Sequence, residues 1–221
     1  RTGEVEYMEK IRISVLGDSV STFAGYTPAE ALFYDSWRQE ETGVMSPDDT
    51  WWMQVIQGLG GVLGVNNSYA GSTVAGGLLT SGTSETRLRT LGAEGEPDLI
   101  LIAMGANDWG FGVPPQEFEY EYRRMLQRLG RLYPKSEKWC ATLLRGRAVP
   151  EEDMFFNVES VLSPNLYSGS IRRIAAETGC HVADLAASRM EYESIDGVHP
   201  NKAGMKMISG LWLRELQKGK E

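Results

Sequence analysis

Ile11-Arg12-Ile13-Ser14-Val15-Leu16-Gly17-Asp18-Ser19 is a short apolar run that ends on a turn carrying a hydroxyl. The run has the length and composition of a buried strand, and Gly, Asp and Ser are the residues that break one. Four more such runs follow: Val62 to Val65, Leu99 to Met104, Trp139 to Leu144, and His181 to Leu185. Between them the apolar spacing changes to steps of three and four. Phe118, Tyr122, Met125, Leu129 and Leu132 fall on one helical face, in a segment that starts behind Pro114-Pro115 and stops near Gly130 or Pro134. Ile171, Ile174, Ala175 and Thr178 form a second stripe, ended by Gly179, and Met205, Ile208, Trp212 and Leu216 form a third. Buried strands alternating with amphipathic helices predict an α/β fold whose parallel sheet is covered on both faces.

The 221 residues suit one domain spanning 1–221. Tyr26 to Thr50 fits neither period, carries Pro28, Gly43 and Pro47, and reads as an irregular insert holding Phe33, Tyr34 and Trp37. Gly58-Leu59-Gly60-Gly61 reads as a helix end and turn, because it precedes a strand, whereas a dinucleotide loop follows one. A net charge of −8 with scattered Lys and Arg argues against a nucleic-acid partner. No apolar stretch approaches the ~20 residues that span a bilayer, so no membrane insertion is expected. Met8-Glu9-Lys10 reads as a native start, which favours the cytoplasm; removal of an upstream signal would instead mean secretion. Cys140 and Cys180 read as free thiols, and two Cys and two His at wide spacing match no zinc pattern, so neither metal nor cofactor is expected.

In an open α/β sheet ligands collect beyond the carboxyl ends of the strands, which is where Ser19 would stand. A serine nucleophile needs a base in hydrogen-bond reach and a third group to orient that base. His181 opens a strand and reads as a strand-end residue; His199 lies in the turn Asp196-Gly197-Val198-His199-Pro200, after the fifth strand. Asp196 either orients the His199 ring or is a plain turn residue. Donors for an oxyanion are offered by Asn107 in Gly105-Ala106-Asn107-Asp108-Trp109 and by the backbone at Gly71 in Asn66-Asn67-Ser68-Tyr69-Ala70-Gly71-Ser72. Both stretches read as loops after strands.

Gly17-Asp18-Ser19, Gly71, Gly105-Ala106-Asn107-Asp108 and Asp196-Gly197-Val198-His199 resemble, in this order, the four blocks of the SGNH hydrolases, or GDSL esterase and lipase family. The resemblance spans Gly17 to Pro200. Val20 stands where the family usually has Leu or Ile. What it implies is a flavodoxin-like three-layer α/β/α sandwich with five parallel strands. It further implies Ser19 as nucleophile, His199 as base, Asp196 as orienting acid, and an oxyanion hole made by the Ser19 and Gly71 amides with Asn107.

The expectation is therefore a serine esterase that hydrolyses carboxylic esters through an acyl-enzyme. Its substrate would be a small-molecule or carbohydrate ester with a short acyl group such as acetyl. Tyr69, Trp109 and Phe111 are candidate substrate contacts, though aromatic residues also fill cores. Lysophospholipase or thioesterase activity on the same fold is an alternative, as is a noncatalytic carbohydrate-binding module using the aromatic residues. A binding module, however, has no need of a serine, a histidine and an acid on separate strand-end loops.

Overall fold

The computed structural model describes residues 10–156 and 162–218, so the Met8 start lies outside the described residues. Five parallel strands form the main sheet: β1 (Arg12–Gly17), β2 (Val62–Ser68), β3 (Leu99–Ala103), β4 (Glu137–Ala141) and β6 (His181–Ala183). Their order is β2-β1-β3-β4-β6. The two-residue strands β5 (Arg145–Gly146) and β7 (Glu191–Tyr192) pair with each other beside it. After β1 the chain builds β2 on one side and then β3 on the other. This reversal makes the carboxyl ends of β1 and β3 the switch point where α/β sheets bind ligands.

Side-chain alternation sorts the sheet into two cores. Ile13, Val15, Leu101, Trp139 and Ala183 pack with Trp51, Trp52, Val55 and Ile56 of α2 (Trp51–Gly58) and Met205, Ile208, Trp212 and Leu216 of α7 (Lys202–Lys218). Leu16, Ile100, Ile102 and Cys140 face the opposite side. There they meet Leu88 of α3 (Glu85–Thr90), Phe118, Tyr122, Met125 and Leu129 of α5 (Pro115–Leu132), and Ile171 and Ile174 of α6 (Pro164–Glu177). Helices thus cover both faces, in the three-layer α/β arrangement. The apolar stripes of α5, α6 and α7 are those read from the sequence, and α2 ends at Gly58 before a turn into β2.

Element bounds differ from the sequence reading at several places, including β6, which stops at Ala183 rather than Leu185, and three of the differences show their physical reason. β2 runs on through Asn66, Asn67 and Ser68, read above as loop. Their buried polar groups are satisfied there: Asn66 Nδ2 donates to Ser21 O at 3.0 Å, Asn67 Nδ2 to Thr90 Oγ1 at 2.6 Å, and Ser68 Oγ to Asn66 Oδ1 at 2.6 Å. Pairing of that kind removes the desolvation cost that would otherwise exclude them from a strand. β4 stops at Ala141: the Thr142 amide makes a last bond to Ala183 O at 3.1 Å, and its hydroxyl binds the chain that leaves β6, donating to Asp184 and accepting from the Ala186 amide. The Tyr26–Thr50 insert contains the helix α1 (Ser36–Thr42), capped by Asp35 Oδ1, which accepts from Arg38 N at 3.0 Å. A polar helix of this length has no apolar stripe to betray it. Cys140 is buried and Cys180 half-buried, and both are free. Among the described residues no helix is long and apolar enough to cross a membrane.

Candidate active site

β1 ends at Gly17, and the chain tightens at once into a 3₁₀ turn, Ser19–Ser21. A side chain at position 17 would collide with Ser21, whose Cβ lies 2.6 Å from where a Cβ would sit, so only glycine allows the turn to fold back this closely. Asp18 caps the turn by accepting from Val20 N at 3.1 Å. Ser19 is thereby presented at the carboxyl edge of the sheet, only 5% exposed.

His199 comes to it from the turn before α7. Its Nε2 lies 2.9 Å from Ser19 Oγ, and its Nδ1 lies 2.6 Å from Asp196 Oδ2. Asp196 Oδ1 accepts from the amides of His199 at 2.7 Å and Val198 at 3.1 Å. A carboxylate opposite Nδ1 favours the tautomer with the proton there, which leaves Nε2 free to accept the serine proton. Burial alone would raise the Asp196 carboxyl, but the hydrogen bond and charge of His199, with the two amides, hold it below the usual carboxylate range.

The oxyanion candidates converge on the same edge. Gly71 adopts φ +76°, a left-handed conformation suited to glycine. Among the described residues neither the Ser19 nor the Gly71 amide donates to a protein acceptor. Asn107, 3% exposed, stands in α4 (Ala106–Gly110) and donates through Nδ2 to Ser72 O at 2.9 Å, leaving its second amide hydrogen. His181, by contrast, is at the amino end of β6 and stacks on Trp139 at 4.7 Å, remote from the carboxyl edge.

Several supporting residues escaped the sequence reading. Phe33, from the insert, stacks flat on the His199 ring with centroids 3.5 Å apart, and Phe155 meets that ring edge-on at 5.0 Å. The neighbouring Tyr34 is fully buried and donates its hydroxyl to Pro200 O at 2.8 Å. Arg87 lies under the Ser19 turn, donating to Gly17 O at 2.6 Å, Asn67 O at 2.9 Å and Thr80 O at 2.6 Å. Burial lowers its guanidinium to about 10, so it remains charged at neutral pH. Asp108 clamps the loop after Gly71, accepting from Val74 N at 2.8 Å and Ala75 N at 3.0 Å. Only Asp108 lay within a quoted sequence block; nothing local marks the others.

The proposed substrate aromatics separate. Trp109 lines a slot beside the His199 loop and packs against Phe156, as does the 57% exposed Phe111. Tyr69 instead packs beneath the Arg87 guanidinium, 5.1 Å away.

A family model described as GDSL-like lipase/acylhydrolase matches residues 11–215. Among solved structures, a protein described as a GDSL-like lipase from Bacteroides ovatus is 25% identical, with a TM-score of 0.73 over 96% of this chain and 99% of that one. Another from Bacteroides uniformis is 27% identical, with a TM-score of 0.71 over 95% and 96%. A carbohydrate esterase family 2 enzyme from Corynascus shares the fold at 16% identity and a TM-score of 0.66, over 96% of this chain and 67% of that one. The comparison with curated proteins gives no match.

Proposed function

Because the chain belongs to the GDSL-like lipase/acylhydrolase family, we propose that it is a serine esterase in which Ser19, His199 and Asp196 act together. The observation that carries this reading is the unbroken hydrogen-bond chain from Asp196 through His199 to Ser19. Ser19 Oγ attacks the ester carbonyl carbon as His199 Nε2 takes its proton. The tetrahedral oxyanion is held by the Ser19 and Gly71 amides and by Asn107. His199 then returns the proton to the departing alkoxide, leaving an acyl-serine. Water, activated by the same nitrogen, releases the carboxylic acid. Asp196 keeps the ring oriented and stabilises its transient positive charge. The cycle requires no cofactor.

The proposed substrates are short-chain acyl esters, acetyl esters of carbohydrates among them. The Corynascus carbohydrate esterase supports the carbohydrate alcohol only as an analogy of fold. Ser19→Ala tests the reading directly. Hydrolysis of p-nitrophenyl acetate should fall by about 10⁴-fold or more, and a fluorophosphonate probe should label the wild type but not the folded variant. Turnover retained by Ser19→Ala would place the nucleophile elsewhere; no labelling of the folded wild type would favour a binding module.

A further inference from the structure

Two cavities lie against the turns that carry Ser19 and His199, lined by the chain neighbours of those two residues, and they share one wall. One, of about 80 Å³, opens beside Asp18 and Val20, the chain neighbours of Ser19. It runs between Leu144, Leu185 and Ile208 to Trp51 and Trp212, whose rings stack 5.3 Å apart at an interplanar angle of 7°. Of its polar side chains, Asp18 accepts through Oδ1 from Val20 N, the Thr142 hydroxyl donates to Asp184, and the Tyr192 hydroxyl donates to Val198 O. The other, of about 70 Å³, borders the His199 loop at Gly197 and Val198, and Trp109, Phe156, Arg145 and Glu191 line it. Leu144 lines both.

Building on the serine-esterase reading, we propose that the Trp51–Trp212 recess holds the acyl chain, the Trp109–Phe156 slot holds the leaving alcohol, and Leu144 sets the acyl length. The chemistry orders the two sides. The alcohol oxygen departs with the proton from His199 Nε2, so the alcohol belongs on the side of the His199 loop. The acyl group stays bonded to Ser19 Oγ until water displaces it, and therefore belongs beside Asp18 and Val20. Hydrocarbon suits a recess of Val, Leu, Ile and Trp, whereas the slot offers aromatic faces with charged groups that can hydrogen-bond a hydroxylated alcohol. A water-sized sphere occupies about 10–15 Å³ by this measure, so the recess holds on the order of six non-hydrogen atoms. Butyryl to hexanoyl chains fill it between the indoles and Leu144; longer ones press on the wall at Leu144.

The experiment is a kcat/KM series on p-nitrophenyl acetate, butyrate, hexanoate, octanoate and decanoate with wild type, Leu144→Ala and Leu144→Phe. The constant leaving group assigns any change in profile to the acyl side. Wild type should peak at butyrate or hexanoate and fall about tenfold or more by decanoate, within the range that methylene-sized misfits give in apolar pockets. Leu144→Ala thins the wall between recess and slot and should move the peak at least two carbons longer. Leu144→Phe should move it to acetate. Fluorophosphonate labelling of Ser19 in each protein separates the two ways of failing. Labelled variants whose profiles all parallel the wild type would overturn the acyl assignment alone, while a folded wild type that neither labels nor turns over would overturn the esterase reading beneath it.

Discussion

The Ser19 turn and the His199 turn each carry an aspartate close to a reacting group, Asp18 buried and Asp196 half-buried, and the two carboxyls shift in opposite directions. Asp196 receives the His199 ring and two amides, which together outweigh its burial and keep it ionised. Asp18 is pushed up to about 6 by burial, against the weaker pull of the Val20 amide and the Arg87 charge. One residue type thus has two roles, set by the number and charge of its partners. On the His199 turn the carboxylate can orient a base. On the Ser19 turn it shapes the backbone, and its ionised form opposes folding.

The two turns are also held from opposite directions. Arg87, from α3, grips the Ser19 turn through the Gly17 carbonyl. The His199 turn is gripped from the insert, through Phe33 on the ring and Tyr34 on Pro200.

The largest expected effect breaks this contrast at Asp196. Asp196→Asn keeps the size of the side chain but removes its charge and its preference for Nδ1–H, so kcat should fall by about 10³–10⁴-fold with KM little changed. A loss smaller than tenfold in steady-state kinetics would reduce Asp196 to a turn residue.

Asp18→Asn should do the reverse, leaving kcat within a few-fold while stabilising the fold. The carboxyl moves from 3.8 unfolded to about 6 folded, so between those values the folded state binds more protons than the unfolded one. Wild-type stability therefore falls as pH rises from about 3.8 to about 6, and the full cost persists above it. At about 1.4 kcal/mol per unit this is on the order of 3 kcal/mol. Urea denaturation should show the Asp18→Asn variant more stable than wild type at pH 7.5, with the gap closing near pH 4; a gap independent of pH would remove ionisation as its cause.

The smallest effect concerns the outer grip. Tyr34→Phe deletes the hydroxyl that satisfies Pro200 O, and should cost about 1 kcal/mol in stability. Because that carbonyl follows His199 directly, kcat should fall a few-fold as well. Equal stability of the two proteins in thermal unfolding would mean that the insert does not brace the turn.

Local sequence determined the five main strands and the helices α5, α6 and α7, because apolar runs and spacings of three and four are properties of neighbouring residues. It also determined which segments beyond the strand ends hold a hydroxyl, an imidazole, a carboxyl and an amide: Ser19, His199 and Asp196 stand in turns, while Asn107, read as loop, stands in the short helix α4. It fell short where burial depends on distant partners. Asn66 to Ser68 read as loop because their polarity is visible in sequence and their hydrogen-bond partners are not. Phe33 sat in a stretch with no period, and nothing beside Arg87 in the sequence marks it as buried.

Only the tertiary structure decided that Ser19 and His199, 180 positions apart, meet at hydrogen-bond distance, and that Tyr34 reaches Pro200 across 166 positions. It alone decided that Asp18 is driven up and Asp196 held down. The physical reason is that a residue's type fixes what it can donate, accept or bury, while desolvation and partner geometry arise only when segments far apart in the chain are packed together.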